Sequence, residues 1–276
     1  MSDLHLRKAP GPGLTEVYRA GSGPLSLISF SLVQLQPAET FDLDTGASEY
    51  ALVLLTGVAD LALDGQNYTE LGGRTSVFAG KATAAYLPPG TDARLTARSP
   101  LLAALAGVPS DSRGPAQVLR PADVAVKAVG NWNWRREVHD LVSTASVPQA
   151  QKLLVGETYN PPGNWSSYPP HKHEKDEFPE EVAMEELYYF RLNPPQGFGL
   201  QRVYTDDCSL DVSYALEDGD VVLLPKGYHP VVAGPGYQLY YLWIMAGAHE
   251  RRMAPRDDPQ HAWVKAVGAM ARDMGF

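Results

Sequence analysis

The sequence predicts an all-β protein made of two jelly-roll barrels, followed by a short C-terminal helix. Three observations lead there. The chain of 276 residues fits two domains of about 100–150 residues each. Gly 25 and Pro 23 break it into short apolar runs, with no long helical pattern among them. The succession of strands and turns also occurs twice, once before about residue 125 and once after it. With 44% hydrophobic residues, the chain can fill a sizeable core.

The elements follow in order. Residues 49–56 form an apolar run closed by Gly57, and residues 58–63 alternate before an Asp64-Gly65 turn, a hairpin signal. Ala85, Tyr86 and Leu87 run into Pro88-Pro89-Gly90, and a further strand is expected around Ala93, Arg94 and Leu95. In the second half, residues 187–190 read as a strand, 193–197 as a turn and 200–204 as a strand. Asp218-Gly219 precedes an apolar run at 220–224 that ends in Pro225-Lys226-Gly227. Residues 237–245 are long and apolar enough for a core strand or an interface between copies. One helix is expected near the end, capped by Asp257 or Asp258, with Pro259 in its first turn. Its apolar stripe would be Trp263, Val267, Met270 and Met274. The expected division is residues 1–125 for the first barrel and 126–276 for the second.

Composition excludes several classes. A formal charge of −9 disfavours nucleic acid as a partner, because phosphates call for clustered Lys and Arg. Cys208 is the single cysteine, so no internal disulfide forms and a reducing compartment is expected. Residues 1–5 lack the pattern of a signal peptide, and no apolar run approaches a membrane span. A cytoplasmic protein acting on a small molecule is expected.

His171, Lys172 and His173 carry the chemistry. Side chains alternate along a strand, so both imidazoles share a face and Lys172 points off it. His229 follows the run 220–224 and can be brought opposite them by a β hairpin fold. A carboxylate from Glu185 or Glu186 completes a first-row metal site with room for substrate. Glu186 is preferred, because that register turns Tyr188 and Phe190 inward, whereas Glu185 would turn Leu187 and Tyr189 inward.

These residues resemble the two cupin motifs. Gly163, His171, His173, Glu186 and Gly197 stand in the first, and Gly219, Pro225, Gly227 and His229 in the second. The gap from His173 to the glutamate exceeds the cupin norm, and Tyr228 alone separates Gly227 from His229. Over about residues 150–265, ordered blocks are similar to the 5-deoxy-glucuronate isomerases of myo-inositol catabolism. They are residues 166–173, Glu186, 193–198, 201–206, 227–231, 235–237 and 245–247. Trp243 departs from that family, which tends to have Asn there. The hexosulose-uronate ketol-isomerases of pectin breakdown look similar at that position.

The resemblance implies a bicupin with its metal in the C-terminal barrel only, held by His171, His173, Glu186 and His229. The first half agrees, since it has no histidine between His5 and His139. The implied reaction moves a proton between adjacent carbons of a sugar acid, and a divalent ion (zinc, manganese, iron or nickel) stabilises the developing enediolate. The general base is expected to be Tyr204 or the carboxylate of the Glu185/Glu186 pair that does not bind metal. Arg202, then Lys172, would hold the substrate carboxylate, and Tyr188 would form a pocket wall. Two other readings are an iron dioxygenase with the same ligands and a sugar-binding bicupin without chemistry.

Overall fold

The computed structural model describes residues 4–249 and 251–273; Met1, Ser2 and Asp3 of the opening segment and Met274 of the expected helix stripe lie outside the described residues. The fold is all-β, a pair of jelly-roll barrels with one terminal helix, Trp263–Asp273. The two halves repeat the same strand order. In the first, the large sheet runs Gln117–Leu119, Thr83–Leu87, Ser48–Thr56, Leu101–Pro109, Ser29–Leu35 and Gly13–Tyr18. Facing it is a sheet of Thr40–Asp44, Asp92–Ala97, Val58–Leu63 and Gln66–Gly72. In the second, the large sheet runs His5–Arg7, Asp220–Leu224, Glu185–Asn193, Gln238–Ala246, Leu153–Asn160, Arg136–Val142 and Ala125–Val129. Its smaller partner holds Trp165–Ser166, Val231–Ala233, Gly199–Tyr204 and Asp211–Leu216. All pairings within these sheets are antiparallel.

Period-2 alternation decides what each face meets. Along Val58–Leu63, buried and half-buried residues alternate strictly. Asp64 and Gly65, both with positive φ (49° and 75°), turn the chain into Gln66–Gly72. In Ser48–Thr56, Leu52 and Leu54 point into the first barrel with Leu61, Leu63 and Leu95. Ala51, Val53 and Leu55 point the other way, into a core shared with the second large sheet. The two large sheets thus pack back to back, and the rings of Phe30 and Tyr189 meet at 5.6 Å between them. Buried Glu49 also joins the halves: its carboxylate accepts from the amides of Gln151, Lys152 and Leu153 at 2.7–2.9 Å.

Two sequence expectations change, and one open alternative is decided. His5–Arg7, assigned with the first half, is an edge strand of the second large sheet, pairing with Asp220–Leu224. His5 Nε2 lies 2.7 Å from Asp220 Oδ2, and Arg7 Nε 3.1 Å from Asp220 Oδ1. The terminal helix starts at Trp263, after Asp258 has used its Oδ1 to accept from the Gln260 amide in a preceding turn. Its packed side is Val264 and Gly268, while Trp263 and Met270 are exposed, because the helix lies on Asn131 and Trp134 rather than on an apolar sheet. The strand Gln238–Ala246 is central in its sheet, and all but its first residue are buried, so it is core. Among the described residues, no helix is long and apolar enough to cross a membrane.

Candidate metal centre

The strand His171–Lys172 pairs with Arg256–Asp257 at the mouth of the second barrel. Lys172 faces away from the histidines, buried, bonded to Glu174 at 2.7 Å and to Asp206. After His173 the chain makes its extra excursion, and buried Glu181 pins it by accepting from the amides of Glu174 and Lys175. The Met184 amide then returns to the His173 carbonyl at 2.9 Å, which delivers Glu186 to the interior. A longer loop therefore reaches the same place as a short one.

Glu185 and Glu186 take opposite faces of one strand. Glu186 is buried inside the barrel with Tyr188. Glu185 points toward the first half, where its carboxylate accepts from Ser26 N at 2.7 Å, Leu27 N at 2.8 Å and Ser26 Oγ at 2.5 Å. His229 enters from the opposite sheet after Gly227, whose φ is 87° and where a Cβ would stand 2.5 Å from the Tyr204 carbonyl. Only glycine fits that turn.

The hydrogen bonds define which ring nitrogens face the centre. His173 Nδ1 bonds the Met184 carbonyl at 2.7 Å and His229 Nδ1 the Gly227 carbonyl at 2.9 Å. A carbonyl only accepts, so each Nδ1 donates and each Nε2 of a neutral ring presents a lone pair. Those two Nε2 atoms stand 3.0 and 3.3 Å from one oxygen, Glu186 Oε2. His229 Nε2 is buried with no hydrogen-bond partner. The ring of His171 lies 5.0 Å from that of His229 and 6.4 Å from that of His173, just outside the tight trio.

Electrostatics agree for two of the three rings. Burial, with neighbouring imidazoles, pulls the pKa of His171 and of His229 down to about 3, so both are neutral at pH 7. Burial acts the same way on His173, but the Glu186 carboxylate outweighs it and raises the value. Lone pairs from His173, His229 and Glu186 converging within 4.8 Å repel one another unless a cation lies between them. The residues present therefore fit a divalent ion of the kind that accepts imidazole and carboxylate.

A cavity of about 390 Å³ opens beside this cluster, bounded by His171, His173, Glu186, Tyr188, Tyr241, Trp243 and Arg136. Tyr188 Oη bonds Ser167 Oγ at 3.0 Å, and burial raises its pKa well above 10, so it stays a donor. Four expectations need correction. Glu185 is committed to Ser26 and Leu27 and does not bound the cavity. Tyr204 donates to Asp258 Oδ2 at 2.6 Å and does not bound the cavity. Arg202 is exposed, gripped by Asp211 through two contacts of 2.8 Å, and Lys172 is held on the reverse face. Arg136 was missed. Its signal was the alternation of residues 136–140, in which Arg136, Val138 and Asp140 face the cavity while His139 is buried on the other side.

Comparison with known proteins places the chain. Residues 10–264 match the model of the KduI/IolB family. The chain is 38% identical over 255 residues to the 5-deoxy-glucuronate isomerase of Bacillus licheniformis, spanning 92% of this chain and 93% of that one. It is 40% identical over 238 residues to that of Geobacillus kaustophilus, spanning 86% and 85%. The crystal structure of an IolB-like protein from Salmonella typhimurium superposes with a TM-score of 0.89 at 36% identity, covering 96% of this chain and all of that one. Oxalate decarboxylase of Lactobacillus farciminis, at 12% identity and a TM-score of 0.69 over 100% and 94% of the chains, shares the bicupin fold alone. With a family model spanning nearly all of its length and relatives close to 40% identical, the chain belongs to the KduI/IolB family.

Proposed function

We propose that the chain is a metal-dependent intramolecular oxidoreductase that converts 5-deoxy-glucuronate to 5-dehydro-2-deoxy-gluconate in the cytoplasm, during myo-inositol catabolism. The observation that carries the reading is the convergence of His173, His229 and Glu186 beside a cavity that His171, His173 and Glu186 bound, in a chain nearly 40% identical to isomerases of that name. In this reading His171, His173, Glu186 and His229 hold the divalent ion, in a second unit of residues 126–276 whose edge is completed by His5–Arg7. When bound, such an ion supplies positive charge against the negative charge that develops as a proton leaves carbon.

The chain's own residues do the rest. The Nδ1 donors to Met184 and Gly227 hold two rings with their lone pairs inward, so no reorganisation is needed when substrate enters. Tyr188, protonated and positioned by Ser167, donates toward an oxygen of the bound sugar acid. Trp243 and Tyr241 supply aromatic wall to the cavity in which the proton would move.

The test is isomerisation of 5-deoxy-glucuronate by purified, metal-analysed protein, followed by product identification. A second reading, the uronate ketol-isomerase of pectin breakdown, is favoured by Trp243 in the cavity wall. Assaying both substrates side by side decides between them, and oxygen uptake in the same assay would reveal a dioxygenase instead.

A further inference from the structure

A sugar acid presents a carboxylate, and burying it beside Glu186 requires a cation that is not already neutralised. Among the described residues the cavity is bounded by two Lys or Arg side chains, Lys127 and Arg136. Lys127 is paired with Asp140. Arg136 makes no ion pair among the described residues. Its Nη1 donates to the carbonyls of Trp134 at 3.3 Å and Tyr168 at 3.2 Å, which aims the guanidinium without satisfying its charge. Burial lowers its pKa, with only the Tyr241 and Tyr188 hydroxyls acting the other way. The group remains a cation at neutral pH, in a half-buried place where a charge-assisted pair is strong.

Its neighbours say where an anion would go. Arg136 and His171 line the same two cavities, and His173 and Glu186 line the larger of them, so the guanidinium shares the space in front of the cluster. It also lines the adjoining recess under Trp134 and Tyr168, next to His171. A planar fork with free donors beside the cluster is suited to a carboxylate at one end of a short sugar chain.

We propose that Arg136 is the specificity-determining residue that binds the substrate carboxylate and so fixes which end of the uronate reaches the histidine cluster, a role that rests on the isomerase reading above. The other end of the sugar, bearing the carbonyl, then lies against His171, His173 and Glu186.

The experiment is calorimetric titration of metal-loaded protein with glucuronate and with glucuronamide, which differ in the carboxylate charge, alongside 5-deoxy-glucuronate kinetics. Wild type should prefer glucuronate. Arg136→Gln should lose about 10- to 100-fold in glucuronate affinity, bind the two compounds alike and keep its metal. Arg136→Lys, which retains the charge but not the fork, should fall between them and serves if the Gln variant does not fold. A folded, metal-loaded Arg136→Gln that still prefers glucuronate overturns the proposal, as does a wild type that binds both compounds equally. If the preference exists and vanishes with Arg136 while wild type leaves 5-deoxy-glucuronate unchanged, the assigned reaction falls and the carboxylate site stands.

Discussion

Arg74 Nη2 lies 2.6 Å from Glu157 Oε1, and neither side chain reaches solvent. Arg74 belongs to the first half and Glu157 to the second, so this pair joins the two halves. Tyr240 and Tyr159 donate to the same carboxylate at 2.9 and 3.1 Å. Arg74→Met would strand a buried carboxylate and should destabilise the protein by about 3–5 kcal/mol in chemical denaturation. Combining it with Glu157→Gln, which keeps an acceptor for the tyrosines, should recover much of that loss.

The same pair sets a pH dependence. Burial alone would raise the Glu157 pKa, but Arg74, His139 and Tyr240 outweigh it and lower it below its ordinary 4.5. A depressed carboxylate stabilises the fold above that ordinary value, and the contribution is lost as pH falls through the folded value. The denaturation midpoint of wild type should therefore drop on acidification below about pH 4.5. Glu157→Gln should flatten that limb of the curve, and an unchanged profile would remove Glu157 from the acid response.

For the metal, His173→Ala, His229→Ala and Glu186→Gln each remove one of three converging ligand atoms. Metal content should fall in all three, with kcat/KM lower by on the order of 10²–10³ or more. His171→Ala, whose ring stands outside the tight trio, should lose less metal than His173→Ala. Elemental analysis of dialysed protein ranks the four.

Glu185→Ala, Tyr204→Phe and Arg202→Ala should leave kcat within about twofold, since none of these side chains bounds the cavity. Glu185→Ala removes the acceptor of three hydrogen bonds and should cost about 1–3 kcal/mol of stability. A large drop in kcat with unaltered folding would restore Glu185 to the chemistry.

Gly156 lies beneath Trp243, and a Cβ there would stand 2.1 Å from Trp243 Cζ2 and 2.6 Å from the His139 carbonyl. The backbone cannot yield, so Gly156→Ala should push the indole into the cavity. The expected signature is a raised KM and a destabilisation of about 1–3 kcal/mol. A Trp243→Phe second change should restore KM, while the contact with the His139 carbonyl keeps part of the stability loss.

Much of the fold was legible in the sequence, because its signals are local. The Asp64-Gly65 turn, the alternation of 58–63 and the run 220–224 each need only a few neighbouring residues to read. The face shared by His171 and His173, and Lys172 on its reverse, come from the same pleat. What escaped depends on distant partners. Glu185 and Glu186 differ only in which side of the sheet meets the first half, and Ser26 and Leu27 lie far off in sequence. Tyr204 stands on an expected strand, but its hydroxyl is claimed by Asp258. Arg136 sits in a stretch rich in Trp and Arg with no ligand spacing, and its alternation alone does not say that its face meets the histidines. The helix stripe failed for a similar reason: its packing surface is Asn131 and Trp134, which no periodicity announces.

The strand His5–Arg7 borders Asp220–Leu224, which in turn borders the strand carrying Glu186. Scission of the chain near residue 125 would thus not yield two intact modules, since the C-terminal fragment would leave behind a β-edge that belongs to it. A fragment of residues 126–276 should expose the backbone of Asp220–Leu224 and tend to self-associate, and adding a peptide spanning His5–Arg7 in trans should suppress that tendency.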